Sequence, residues 1–230
     1  MNGILIIDKP QWLTSHDVVL KLRRKLNQQK IGHAGTLDPI ATGVLVLVLG
    51  RATKLVSKLI NHDKIYEVCL TLGLKTDTGD ITGKIIDKKE LPADLDIDHA
   101  RNTLNKFHGQ LTQIPPMVSA KKYKGRPLYK YARQGKTIPR EPKSIHIYSL
   151  TIGNIRIPEI SFAVHCSKGT YIRTLCEDIG SALGLCGCAN KIRRIKNGPF
   201  VISQAAQLDE LLQFNPEQIR EYLVPEDSLF

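Results

Sequence analysis

The stretch Gly32-His33-Ala34-Gly35-Thr36-Leu37-Asp38-Pro39-Ile40-Ala41-Thr42-Gly43, followed at once by Val44-Leu45-Val46-Leu47-Val48-Leu49, constrains this chain more than any other. The continuous apolar run from Val44, rich in β-branched residues, reads as a buried strand that anchors whatever precedes it. What precedes it is a single carboxylate, Asp38, set among glycines and a proline. Gly32, Gly35 and Gly43 permit positive φ or close approach of another group. Pro39 biases Asp38 away from the right-handed helical region, so an extended loop conformation is expected. The pattern suggests a site rather than a core. An ordinary Asx-type turn uses the same residue types, however, and pattern alone leaves both readings open.

Charge adds a second constraint. The 230 residues carry 33 Lys and Arg against 22 Asp and Glu, a formal net charge of +11. Clustered cations of this kind suit a phosphate backbone, through counterion release. Lys21, Arg23, Arg24 and Lys25 fall on an expected first helix, and Lys191, Arg193, Arg194 and Lys196 fall in one short run. The strip from Lys121 to Lys136 holds Lys121, Lys122, Lys124, Arg126, Lys130, Arg133 and Lys136, without an acid, interleaved with Tyr123, Tyr129 and Tyr131. Cations alternating with stacking aromatics fit RNA, although any one cluster also fits a solvated basic face. The segment 207–230 is acidic, with Asp209, Glu210, Glu217, Glu221, Glu226 and Asp227, and is expected to pack away from phosphates.

Several chemistries find no support. The five cysteines, Cys69, Cys166, Cys176, Cys186 and Cys188, form no paired Cys-x2-Cys motifs, so neither zinc nor a disulfide framework is indicated. Phosphate-loop, dinucleotide and zinc-deaminase signatures do not occur. No apolar run approaches membrane-span length and no leader pattern opens the chain, so a cytoplasmic, reduced setting without a membrane partner is expected.

Along the chain, Ile4–Ile7 reads as a buried strand ending at Asp8-Lys9-Pro10. Thr14 to Asp17 has capping-box spacing and opens a helix carrying Val18, Val19, Leu22 and Leu26. A helix is predicted over 53–61, then a strand alternating at Tyr66, Val68, Leu70 and Leu72, on whose apolar face Tyr66 could equally be a core aromatic. A polar loop follows at 76–83, a helix at 97–107 and a short helix at 127–134. Ile160, Phe162 and Val164 alternate as a strand, and Lys168-Gly169-Thr170 turns into a helix from Tyr171 to about Leu183, with Arg173 in its first turn. An arginine at the positive end of a helix makes electrostatic sense with a carboxylate partner.

The Gly-His-x-Gly-x-Leu-Asp-Pro-x-Ala-x-Gly stretch at 32–43 resembles the hallmark loop of the TruB family of tRNA pseudouridine synthases. Further similar segments occur in the family's order: Gly3 to Pro10, Lys64-Ile65-Tyr66-Glu67-Val68, Thr76-Asp77-Thr78-Gly79-Asp80, Ile114 to Ala120 with Lys122-Tyr123-Lys124-Gly125, and Cys166 to Arg173. The resemblance implies an α+β pseudouridine synthase fold, a mixed, mainly antiparallel sheet flanked by helices with an RNA-binding cleft, over a single catalytic domain 1–230. It implies a tRNA substrate bound by the T-arm, isomerisation of uridine 55 without cofactor or metal, and a monomer.

Carried over residue by residue, it makes Asp38 the nucleophile and Arg173 its ion-pair partner, with Tyr66 stacking on the target uracil near the proton removed from C5. Lys9 and Asp80 resemble further charged residues of the pocket. His33 resembles the residue that enters the RNA loop where the flipped base was, and Tyr171 and Ile192 resemble substrate-contact and pocket-wall positions. The family often has Leu where this chain has Ile192. Lys121, Lys122, Lys124, Arg126 and Lys130 are candidate backbone contacts. Many bacterial members continue into a PUA domain after a Pro-x-Asp-Ser-like stretch, and none is expected here after Pro225-Glu226-Asp227-Ser228. The competing reading is a non-catalytic tRNA-binding or folding module, for which Asp38 would be dispensable.

Overall fold

The computed structural model describes residues 1–92 and 95–225. Glu226 and Asp227 of the acidic segment therefore lie outside the described residues. The chain divides into two compact units, one made of Met1–Tyr66 with the segment from Arg193 onward, the other of Glu67–Ile192.

In the first unit the strands Gly3–Lys9 and Thr42–Leu49 pair antiparallel from Gly3↔Leu49 to Lys9↔Gly43. Both are buried on both faces, which explains why they read as continuous apolar runs without alternation. Ile4, Ile6, Val44, Val46 and Val48 join Ala34, Ala52, Leu59 and Phe200 in one core cluster. Thr42 and Gly43 pair in parallel with Arg193 and Arg194 of the Gly187–Asn197 strand. The helix Ser15–Lys25 opens on the predicted capping box: Thr14 accepts from the Asp17 amide at 3.0 Å, and Asp17 accepts from the Thr14 amide at 2.9 Å. It packs against the helix Leu208–Gln213 of the acidic segment, whose strand Leu223–Val224 pairs with Gly3–Lys9.

Two expectations are corrected here. The segment from Gly32 is not all loop: Ile31–Ala34 is a strand paired with Thr42–Leu49, so the loop proper runs from 35 to 41. Gly35 and Gly43 take positive φ, 95° and 98°, whereas Gly32 needs no such freedom because it lies within the ladder. The predicted 53–61 helix starts and ends earlier, as a 3-10 turn, Gly50–Leu55, followed by one α turn at Val56–Leu59.

Gly43 is also a close-approach site. A Cβ there would lie 2.2 Å from the Arg194 carbonyl oxygen. Backbone cannot yield that far, so Gly43→Ala is expected to cost at least about 2 kcal/mol, read by urea unfolding.

In the second unit the strands lie in the order Gly187–Asn197, Lys64–Leu72, Glu159–Cys166, Lys143–Arg156, Gly109–Gln113, the last two pairs antiparallel. The helix Ile97–Asn105 packs on the strand Lys143–Arg156 and on the helix Ile172–Ala182. Among the described residues no helix is long and apolar enough to cross a membrane.

Candidate active site

In the first unit, Asp38 sits half-buried at the tip of the 35–41 loop, with Ile40 and Leu37 buried beside it. The loop backbone is fixed at several points. Ser15 of the first helix grips Leu37 twice: its hydroxyl donates to the Leu37 carbonyl at 3.1 Å and accepts from the Leu37 amide at 2.8 Å. The Ala41 amide donates to the Asp38 carbonyl at 3.0 Å, and the Trp12 amide to the Pro39 carbonyl at 2.7 Å.

Lys9, fully buried at the end of the first strand, donates to the carbonyls of Pro10 and Leu13 at 2.7 Å each and of Pro39 at 3.4 Å. Burial lowers its pKa to about 8, the neighbouring Asp38 carboxylate holding it up and the Arg194 guanidinium pushing it further down. Between about pH 8 and 10.5 the unfolded chain keeps this proton while the folded chain has lost it, so stability rises with pH across that window and is flat below it. Lys9→Met is expected to remove this component, seen as a wild-type-minus-variant difference in unfolding free energy that grows from pH 8 to pH 10.

His33 lies on the strand Ile31–Ala34, and its pKa is lowered by burial, then by the Arg194 charge and by His16. Its Nδ1 has no hydrogen-bond partner among the described residues. Tyr66 is buried within the strand Lys64–Leu72, at 8% exposure.

The second unit holds the other candidates. Arg173 is the second residue of the helix Ile172–Ala182 and is 3% exposed. Its guanidinium donates to the Thr78 carbonyl, and to the Val118 carbonyl at 2.7 Å, and its Nε lies 4.0 Å from Asp80 Oδ2. A cation in the first helical turn, unfavourable on its own, is thus compensated by a carboxylate and two carbonyls. Asp80 is itself held by the 76–83 turn: its Oδ1 accepts from Thr78 Oγ1 at 3.0 Å, the Thr82 amide at 3.1 Å and Thr82 Oγ1 at 2.5 Å. Tyr171 caps the helix, and both its backbone groups are bound by the buried Gln113 amide, at 3.0 and 3.2 Å. Ile192 is buried, at 4% exposure.

A family model described as TruB family pseudouridylate synthase (N terminal domain) matches residues 23–172, and one described as tRNA pseudouridylate synthase B C-terminal domain matches 173–230. The chain belongs to the TruB family. The tRNA pseudouridine synthase B of Syntrophotalea carbinolica is 45% identical over 97% of this chain and 73% of its own length. The protein of the same name from Francisella philomiragia is 44% identical over 100% of this chain and 76% of its own. Among solved structures, a chain of a Cbf5-Nop10-Gar1 complex superposes with a TM-score of 0.75 at 28% identity, and one of an H/ACA RNP bound to a substrate RNA containing 2'-deoxyuridine with 0.72 at 26%. This chain spans 60% and 59% of those two. The TruB chain is therefore an enzyme, a pseudouridine synthase, with the α+β, mainly antiparallel fold of that class.

The cation clusters of this TruB chain divide by role. In the run 191–196, Lys191 and Lys196 are exposed, but Arg194 is buried and Arg193 forms a two-pronged pair with Asp8 at 3.1 and 2.7 Å. Two of the four residues are thus structural, a correction to their reading as a phosphate-facing cluster. Nothing in the sequence run itself separates the two kinds, because the distinction comes from partners far away in the chain, Asp8 for Arg193 and the Gly35 and Val44 carbonyls for Arg194. The strip 121–136 stays exposed at Lys121, Lys122, Lys124 and Lys130. It forms the hairpin Lys122–Tyr123 and Arg126–Pro127, turned at Lys124 and Gly125 with positive φ, and then the helix Leu128–Ala132. Its tyrosines are faced by its own cations, Arg126 over Tyr131 at 4.9 Å, Arg133 over Tyr129 at 5.4 Å and Lys124 over Tyr123 at 5.6 Å. All five cysteines are buried, and burial pushes the Cys188 thiol up to about 11, which suits packing rather than reactivity.

Proposed function

We propose that this TruB enzyme converts uridine 55 in the T-loop of tRNA to pseudouridine, with Asp38 as the nucleophile. The observation that carries the proposal is the half-buried Asp38 carboxylate on a loop whose backbone is anchored by buried groups, in a chain whose relatives are named tRNA pseudouridine synthase B. A core aspartate would be fully buried, and an incidental turn would not need such anchoring.

The reaction breaks the C1′–N1 bond, turns the uracil and joins C1′ to C5, with loss of the C5 proton and gain of one at N1, so no net oxidation occurs. An ionised carboxylate serves by adding either to C1′ or to C6 of the ring. A stacked uridine is out of reach, so the base is extruded, with Tyr66 offering its ring to the uracil and His33 filling the vacated space. By family resemblance Arg173 is the ion-pair partner of Asp38, Asp80 and Lys9 are further charged groups of the pocket, and Tyr171 and Ile192 contact the substrate. The exposed Lys121, Lys122, Lys124 and Lys130, with Arg126, grip the RNA backbone. The enzyme acts as a cytoplasmic monomer with one catalytic domain.

Purified protein incubated with an unmodified tRNA transcript, without cofactor or metal, should give a T-loop stop after carbodiimide labelling and primer extension. Tight tRNA binding with no stop would favour the folding-module reading instead.

A further inference from the structure

Arg194 is a buried arginine at 1% exposure, and the carbonyls that accept its hydrogen bonds all belong to the backbone that carries Asp38. Its Nε donates to the Val44 carbonyl at 2.7 Å, one terminal nitrogen to the Gly35 carbonyl at 2.9 Å and the other to the Thr36 carbonyl at 3.4 Å. Gly35 and Thr36 open the loop, and Val44 is the third residue after it closes. One planar guanidinium therefore spans both ends of the Asp38 loop. Its own main chain closes the arrangement, since Arg194 pairs in parallel with Gly43 and its carbonyl occupies the space a Gly43 side chain would need. Among the described residues no carboxylate lies within salt-bridge distance of Arg194. A buried cation satisfied by carbonyls alone is costly to keep for stability, because a hydrophobic side chain would fill the same volume without desolvation.

We infer that Arg194 is a positioning residue for the isomerisation: it sets the distance and direction of the Asp38 carboxylate by splinting both ends of its loop. This rests on Asp38 being the nucleophile. Arg194 acts through backbone carbonyls, so it touches no reacting atom. Lysine cannot replace it, since a single ammonium on a flexible stem cannot reach carbonyls on both sides of a loop in one plane. Misplacing a reacting group by about 1 Å costs on the order of 10²-fold in rate.

The test compares Arg194→Lys and Arg194→Gln with Asn197→Ala. Asn197, equally buried on the same strand, donates to the Ala34 carbonyl at 3.1 Å, at the strand end rather than the loop, and so controls for lost stability. Single-turnover rates and tRNA affinity are measured well below each melting temperature. The expected result is a rate reduction of about 10²-fold for whichever Arg194 variants fold, with Kd for tRNA unchanged and with Asn197→Ala near wild type at a comparable melting temperature. Ser15→Ala, which frees Leu37 beside Asp38 without removing a buried charge, is the companion variant and is expected to slow the same step with Kd unchanged. A folded Arg194 variant with a wild-type single-turnover rate would overturn the inference. So would Ser15→Ala with full rate, should neither Arg194 variant fold. If Asp38→Ala retained turnover, the underlying reading would fail instead, and the two failures are read in separate lanes of one assay.

Discussion

Asp38→Asn should leave a folded protein that binds tRNA and makes no measurable pseudouridine, a loss of at least about 10⁴-fold in single-turnover rate. The folded state is expected to survive because the loop is held by its backbone, through Ser15, Lys9 and the Ala41 amide, and Asn keeps the side-chain shape. Binding is expected within about threefold, because backbone phosphates engage lysines and arginines elsewhere on the chain. One secondary effect has a defined sign. The Asp38 charge raises the Lys9 pKa against burial, so its removal lowers that pKa further and moves the start of the Lys9 stability window below pH 8. Pseudouridine mapped by primer extension, filter binding and unfolding at several pH values check the three parts. Turnover above a few per cent of wild type in both Asp38→Asn and Asp38→Ala would remove Asp38 from the nucleophile role.

The sequence made the Asp38 loop legible because two local signals coincide there: residues that permit unusual backbone and an apolar run that needs no long-range information to be recognised as buried. The capping box at Thr14 and the placement of Arg173 in a first helical turn are likewise local, and both are found in the fold. What stayed hidden depends on distant pairing. Ile31–Ala34 becomes a strand because it lies beside Thr42–Leu49, not because of its own composition, which includes Gly32 and His33. Arg194 looks like one more cation in a basic run. Its role follows only from contacts with residues about 150 positions earlier, at Gly35, Thr36 and Val44. The tyrosines of the 121–136 strip were readable as aromatics among cations, whereas their pairing with Arg126, Arg133 and Lys124 needed the hairpin register.

Arg173→Lys is expected to lose most activity, about 10² to 10³-fold in single-turnover rate, while the protein stays folded. The guanidinium divides its donors among the Thr78 carbonyl, the Val118 carbonyl at 2.7 Å and the face toward Asp80 at 4.0 Å. Those acceptors belong to two separate stretches, the 76–83 turn, which carries Thr78 and Asp80 and is bridged to Ala189 through the Asp80 backbone, and the segment before the basic hairpin. A lysine ammonium preserves the charge but is a compact point on a flexible stem, and it satisfies one of these acceptors at the expense of the rest. Each buried carbonyl left without a donor costs about 1–3 kcal/mol, so a lower melting temperature should accompany the loss. The two effects separate by comparison with Asp80→Asn, which keeps the Thr78 and Val118 contacts, weakens only the charge pairing and leaves Thr82 still able to donate to the remaining oxygen. If Arg173 acts by presenting a fixed planar cation to the reacting carboxylate, Arg173→Lys falls much further in rate than Asp80→Asn at equal loss of stability. Near wild-type turnover in Arg173→Lys would instead reduce the residue to a fastener for the 76–83 turn.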